Sequence, residues 1–206
     1  MVQILNRGSN KPASARAKRK SELRRAEILH AAARVFRRRG LATAGMREIA
    51  EEADLSPGNL YYYFSGKDEI VYFCQQRMLE RMLATLKAAR NSARSVAQQL
   101  REVLRAHLRY MLEEFEGATA HLEVDALPPE LRRPMIARRD AYERAIRDLV
   151  ASGIERGEFA RCDAALVTRA MLGALNWSAR WYRPDGPQPV AEIVDAIAEY
   201  LVRGLR

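Results

Sequence analysis

The sequence predicts an all-α protein: a three-helix head followed by a larger helical domain. Three observations carry this. Apolar residues recur at the i, i+3, i+4, i+7 spacing of helices from Ser21 onward, and no stretch alternates as a half-buried strand would. Two short helices are joined by a tight turn between about residues 45 and 64, with Pro57 and Gly58 just after it. Positive charge is confined to the first third: residues 1–67 hold 14 Lys and Arg against 6 Asp and Glu, and residues 68–206 hold 21 against 20.

Residues 1–21 read as a basic arm. Arg7, Lys11, Arg16, Lys18, Arg19 and Lys20 are broken by Gly8, Pro12 and small residues, a composition expected to stay disordered when alone. It is either a solubilising tail or an arm that follows phosphates or enters the minor groove of DNA. A helix then runs from Ser21 to Arg39, with Leu29, Ala32, Val35 and Phe36 as its apolar stripe and Gly40 as its stop.

Met46, Ile49, Ala50 and Ala53 share one face of the next helix. Asp54-Leu55 interrupts it, Ser56 caps the following helix, and Pro57 takes the first helical position, where a missing N–H costs little. Leu60 and Phe64 face inward. Asn59, Tyr61, Tyr62 and Tyr63 crowd a single turn, and hydroxyls and amides beside a helix N-terminus suit phosphates and base edges. Tyr63 is the one of these expected to pack inward. Two helices in this arrangement form a helix-turn-helix, which lays its second helix in the major groove. The basic block beside it is the matching electrostatic footprint.

A long helix from Lys67 to about Arg90 joins the head, residues 22–82, to the rest, residues 83–206. Val96, Leu100, Val103, Leu104, His107, Leu108, Met111, Leu112 and Phe115 form a strong stripe that Gly117 breaks. Further helices are expected over about 132–156, from an Asp163 cap to Trp181, and from Val190 to Val202, the last two separated by the breaker Arg183-Pro184-Asp185-Gly186-Pro187. The last two carry apolar residues on more than one side, with Ala170, Gly173 and Ala174 between Leu166, Val167, Met171, Leu172 and Leu175. Such a pair can bury one face at home and another against a twin, or both in one core.

Catalytic patterns are absent: no Gly-rich phosphate loop, no HExxH, no GxSxG. No enzyme activity, metal or bound cofactor is expected. His121, Glu123 and Asp125 read as solvated polar residues. Cys74 and Cys162 stand far apart and are expected to be reduced thiols in the cytoplasm. No run of 18 apolar residues exists, so no membrane span is expected.

The run Gly40…Met46-Arg47-Glu48-Ile49-Ala50…Leu55-Ser56-Pro57-Gly58…Leu60-Tyr61-Tyr62-Tyr63-Phe64…Lys67 closely resembles the TetR family of bacterial transcriptional regulators, over about residues 22–82. The remainder is similar in layout. Thr43, Arg47, Ser56, Gly58, Asn59, Tyr61, Tyr62 and Lys67 are the expected DNA-contacting residues, and the resemblance implies a phosphate contact from Lys67. The chain departs from the family where Thr-Ser or Thr-Thr usually precedes the Met-Arg pair. Ala44-Gly45 stands there, and Thr43 is expected to cap in its place. The resemblance further implies a homodimer through the last two helices.

His107, Tyr110 and Met111 lie within about a turn on one helix, Tyr142 is on another, and Asn176, Trp177, Arg180 and Trp181 are on a third. They read either as core packing around a satisfied histidine or as an apolar pocket with a few polar groups, the usual make-up of a small-molecule site. The ending Leu175-Asn176-Trp177…Arg180-Trp181-Tyr182-Arg183-Pro184 is similar to TetR-type regulators of lipid and steroid catabolism that sense acyl-CoA thioesters. The expected function is a cytoplasmic, nucleoid-associated repressor released from a near-palindromic operator by a small molecule, an acyl-CoA being the first choice. The alternatives are an architectural DNA-binding protein without a ligand and an enzyme with an accessory DNA head.

Overall fold

The computed structural model describes residues 11–114 and 124–206, as eight α-helices with no strand among the described residues. Helix α1 spans Lys11–Arg39, α2 Met46–Glu52, α3 Pro57–Tyr63, α4 Lys67–Arg90 and α5 Val96–Arg109. Helix α6 spans Pro129–Glu155, α7 Ala164–Trp181 and α8 Val190–Arg203. No helix among the described residues is long and apolar enough to cross a membrane. Arg7 and Gly8 of the expected arm, and Phe115, Gly117, His121 and Glu123, lie outside the described residues.

Helix α1 begins ten residues before the expected Ser21. Ala13, Ala15 and Ala17 alternate there with Arg and Lys, all strong helix formers, and Pro12 falls in the first turn, where no intrahelical N–H is lost. Residues 15–23 are exposed, so propensity alone carries this part. Further along, Ile28, Leu29, Ala32, Val35 and Phe36 are buried and hold the head together. Gly40, with φ of 79°, takes the left-handed stop, and its N–H donates to the Phe36 carbonyl at 2.8 Å.

Thr43 does not cap α2. Its hydroxyl donates to the Arg39 carbonyl instead, one turn back on α1. Gly45 holds the cap position without a side chain, and its N–H donates to Glu48 Oε2 at 3.1 Å, half of a capping box. Asp54, with φ of 52°, makes the turn of the motif, and Ser56 Oγ accepts from Asn59 N–H at 3.2 Å to cap α3.

Helix α4 starts in the head, where Ile70, Val71 and Cys74 are buried, and ends in the larger bundle, where Met78, Met82, Leu86 and Ala89 are buried against α5 and α6. The division expected at residue 82 therefore falls inside a helix that both bundles share. Burial raises the Cys74 thiol to about 12, so it stays protonated, whereas Cys162 is exposed.

Helix α5 is capped twice. Ser95 and Gln98 form a full capping box, and Glu158, from beyond α6, accepts from the N–H groups of Val96 and Ala97 at 3.0 Å each. Those two backbone donors, Ala97 foremost, hold the Glu158 carboxyl below its ordinary range. A single π-helical turn, Tyr110–Glu114, follows α5. Arg101–Glu199 at 2.6 Å and Arg105–Asp195 at 2.8 Å pin α8 to α5.

Helix α6 starts three residues earlier than expected, with Pro129 at its first position. Gly153, near its end, faces the buried Phe159 ring, and a Cβ there would stand 2.2 Å from two ring carbons. Gly153→Ala should therefore destabilise the protein by about 1–3 kcal/mol, the usual cost of overpacking, despite alanine's better helix propensity. Urea denaturation checks this, and an unchanged or raised midpoint would contradict it.

Candidate nucleic-acid interface and effector pocket

The second helix of the motif is sharply two-faced. Leu60 and Phe64 are buried, while Gly58 and Asn59 are exposed, Tyr61 is 54% exposed and Tyr62 82%. Tyr63 is half-buried, as expected, and meets Tyr62 edge-on at 5.1 Å. Large aromatics this exposed are unexplained by packing and suit an external partner. The exposed Ser56 hydroxyl uses an acceptor lone pair on Asn59 N–H, which leaves its hydrogen available to a phosphate. Arg47 is exposed on α2, in a loose pair with Glu51 at 3.3 Å.

Thr43 and Lys67 are spent internally. The single Thr43 hydroxyl hydrogen goes to the Arg39 carbonyl rather than outward. Lys67 Nζ donates to the carbonyls of Leu41 at 2.9 Å, Ala44 at 3.1 Å and Ala42 at 3.3 Å. An ammonium has three hydrogens, and all three have acceptors. In place of the expected phosphate contact, Lys67 fastens the loop between α1 and α2 to the start of α4.

Other cations of the head also serve its frame, which the sequence did not signal. Arg24 Nη2 donates to the Ala53 and Asp54 carbonyls at 3.2 and 3.3 Å, across the turn of the motif. Arg34 and Arg38 both pair with Glu52, at 2.6 and 2.5 Å, and, Arg34 first, hold its carboxyl below the ordinary range. Arg39 pairs with Glu48 at 3.1 Å.

In the larger bundle the expected pocket residues separate into four groups. His107, Met111 and Tyr142 come together in the core: His107 Nδ1 lies 3.1 Å from the Tyr142 hydroxyl and Nε2 3.1 Å from Met111 Sδ. Burial lowers His107 to about 4, so it is neutral, and burial pushes the Tyr142 hydroxyl up. Tyr110 turns away to Thr85, 3.1 Å between hydroxyls, with Arg81 over its ring at 4.8 Å.

Asn176 lines a cleft of about 500 Å³ between α6 and α7, with Ile136, Arg139, Glu143, Arg169 and Leu172. Glu143 Oε1 is buried there without a hydrogen-bond partner among the described residues, and the Asn176 side chain lies beside His107, where it favours the protonated imidazole against the effect of burial. Arg139 and Arg169 carry no sequence signal, since nothing in their neighbourhood along the chain separates them from surface arginines. Trp177, Arg180 and Trp181 are all exposed and do not line this cleft. Arg180 does lie one helical turn beyond Asn176, on the same face.

The family described as "Bacterial regulatory proteins, tetR family" matches residues 28–72, and the one described as "Tetracyclin repressor-like, C-terminal domain" matches residues 93–205. The chain belongs to the TetR family. It is 35% identical to the TetR family regulator PfmR of Thermus thermophilus, whose structure matches with a TM-score of 0.78 over 87% of this chain and 98% of that one. The repressor KstR2 of Mycobacterium tuberculosis is 29% identical over 177 residues, 82% of this chain and 86% of the relative. AibR, solved with isovaleryl coenzyme A and operator DNA, shares the fold with a TM-score of 0.75 at 22% identity, over 87% of this chain and 98% of that one.

As a TetR-family member the chain is a DNA-binding transcriptional regulator and not an enzyme. Lys67→Met in this head should remove three hydrogen bonds and lower stability by about 1–3 kcal/mol. The salt dependence of DNA binding should be unchanged, whereas loss of a phosphate contact would lower its slope by about one. A thermal melt and titrations at several salt concentrations distinguish the two outcomes.

His107 makes the larger bundle sensitive to acid. Its folded value of about 4 lies below the ordinary 6.5, so below pH 6.5 the unfolded chain binds a proton that the folded chain refuses. Stability present above pH 6.5 is lost as the pH falls, by about 3 kcal/mol at pH 4. His107→Gln should flatten this part of the stability profile, measured by denaturation between pH 4 and 7.

Proposed function

We propose that this TetR-family regulator is a homodimeric repressor, released from a near-palindromic operator by an acyl-CoA thioester. Two-fold symmetry presents two α3 helices to successive major grooves, so the operator mirrors that symmetry. Asn59, Tyr61, Tyr62, Arg47, Ser56 and Gly58 serve the interface, and the exposed basic stretch of α1, with Arg16, Lys18, Arg19 and Lys20, adds phosphate contacts beside it. The exposed apolar side chains of the last two helices support the dimer: Leu166 is 64% exposed, Trp177 66% and Tyr200 78%.

The observation that carries the effector reading is the cleft between α6 and α7, where the Asn176 amide sits beside the neutral His107, itself 3.1 Å from the Tyr142 hydroxyl, among Ile136, Arg139, Arg169 and Leu172. A thioester would lay its acyl chain along Ile136 and Leu172. Its polyanionic handle would remain outside the cleft, where Arg180 and Trp181 lie one turn further along α7. The isovaleryl coenzyme A solved with AibR supports this class of effector. Effector binding would tilt α4 and change the separation of the two heads, so that DNA and effector compete through two conformations.

The test is release of a selected operator by a panel of acyl-CoAs and the matching free acids. Acyl-CoAs should release it and free acids should not. Arg180→Ala should weaken the effector by about 1.5–3 kcal/mol, the range of a charge-assisted bond, and leave DNA binding alone nearly unaltered. Release by none of them, or equal release from the Arg180→Ala protein, would refute the proposal.

A further inference from the structure

The geometry points to Arg25 as the positioning residue that fixes the recognition helix to α4. Arg25 lies on α1 and does not belong to the helix-turn-helix. Its guanidinium carbon stands 4.4 Å from the centroid of the Phe64 ring and 4.6 Å from that of Phe73. Phe64 is the residue that ends α3, and Phe73 is on α4; their rings meet edge to face at 5.9 Å. One planar cation is thus shared between an aromatic at the end of the recognition helix and another on the helix that leads into the larger bundle.

The arrangement is closed by a carboxylate. Arg25 Nη2 lies 3.5 Å from Glu69 Oε1, and Glu69 Oε2 accepts from the N–H of Ser65 at 2.6 Å and from its hydroxyl at 2.8 Å. Ser65 and Gly66 are the whole connection between the Phe64 cap and α4. Arg25, Phe64, Ser65, Glu69 and Phe73 therefore bind the α3–α4 junction to α1 through one residue. Stacking on two rings needs a flat guanidinium, and the pairing with Glu69 needs its charge, so neither lysine nor an apolar side chain replaces it. A tilt of α4 carries Phe73 and Glu69 with it, and Arg25 passes that tilt to Phe64 and hence to α3. Arg25 touches no DNA in this role. It sets the angle at which Tyr61 and Tyr62 are presented.

The experiment uses the full chain, a duplex obtained by in vitro selection on the unaltered protein, and a scrambled duplex of equal length. Arg25→Lys and Arg25→Met should each lower affinity for the selected duplex by about tenfold. Binding to the scrambled duplex should stay within about twofold, with the salt slope unchanged, because no phosphate contact is lost. Phe73→Leu, in the second turn of α4, should produce a similar selective loss. The double variant Arg25→Lys with Phe73→Leu should be little worse than either single one, since both break the same link. A thermal melt shows that the variants fold. Should Arg25→Met fail to fold, Arg25→Lys and Glu69→Gln supply the same comparison. Equal loss on both duplexes with a slope lowered by about one in Arg25→Met but not Arg25→Lys would make Arg25 a phosphate contact and overturn the proposal. Strict additivity with Phe73→Leu would overturn it as well.

Discussion

The structure depends on α4 being packed at both ends by different neighbours. Ile70, Val71 and Cys74 complete the core that α1 begins with Ile28, Leu29 and Val35, while Met78, Met82 and Leu86 lie among α5 and α6. A helix cannot bend sharply without a proline, glycine or wide turn, and α4 has none between Lys67 and Arg90. The head and the larger bundle are therefore coupled by a stiff member, and a shift of one end appears at the other. This is the mechanical requirement of any regulator whose binding surfaces lie on separate bundles.

Charge in the head does two jobs that the net count cannot separate. Arg24, Arg34, Arg38 and Arg39, together with Lys67, are turned onto carbonyls or onto Glu48 and Glu52. They make a short, poorly capped α2 and a left-handed turn at Asp54 tolerable. The cations most exposed to an external partner are those of the first part of α1 and Arg47. The basic excess of the first third thus overstates the positive surface beside the recognition helix and understates how rigidly that helix is held.

Much of this is legible in the sequence, wherever a signal is local. Ser56-Pro57 announces the start of α3, Asp163 that of α7, and Gly40 the end of α1, because caps and stops act through neighbours in the chain. The two-faced pattern of Leu60 and Phe64 against Tyr61 and Tyr62 likewise follows from helical geometry. Sequence reasoning fails where tertiary partners decide. Lys67 is drawn to carbonyls 23 to 26 residues away, Tyr110 pairs with Thr85 on another helix, and Arg25 finds two rings from different helices. The early start of α1 escapes it for another reason: a run of cations reads as a tail, yet alanines interleaved with Arg and Lys are also among the best helix formers.

Glu158 gives the larger bundle an order of assembly. The Ser95–Gln98 box is made from residues three apart and is available as soon as α5 begins to coil. The bonds from Val96 and Ala97 to Glu158 span 62 and 61 residues, so they wait until α6 is laid down and the chain has turned at Gly157. Closing so long a loop costs entropy before any contact is gained. The local cap starts the helix, whereas the distant carboxylate is a latch on the finished bundle, resisting its opening more than hastening its closure.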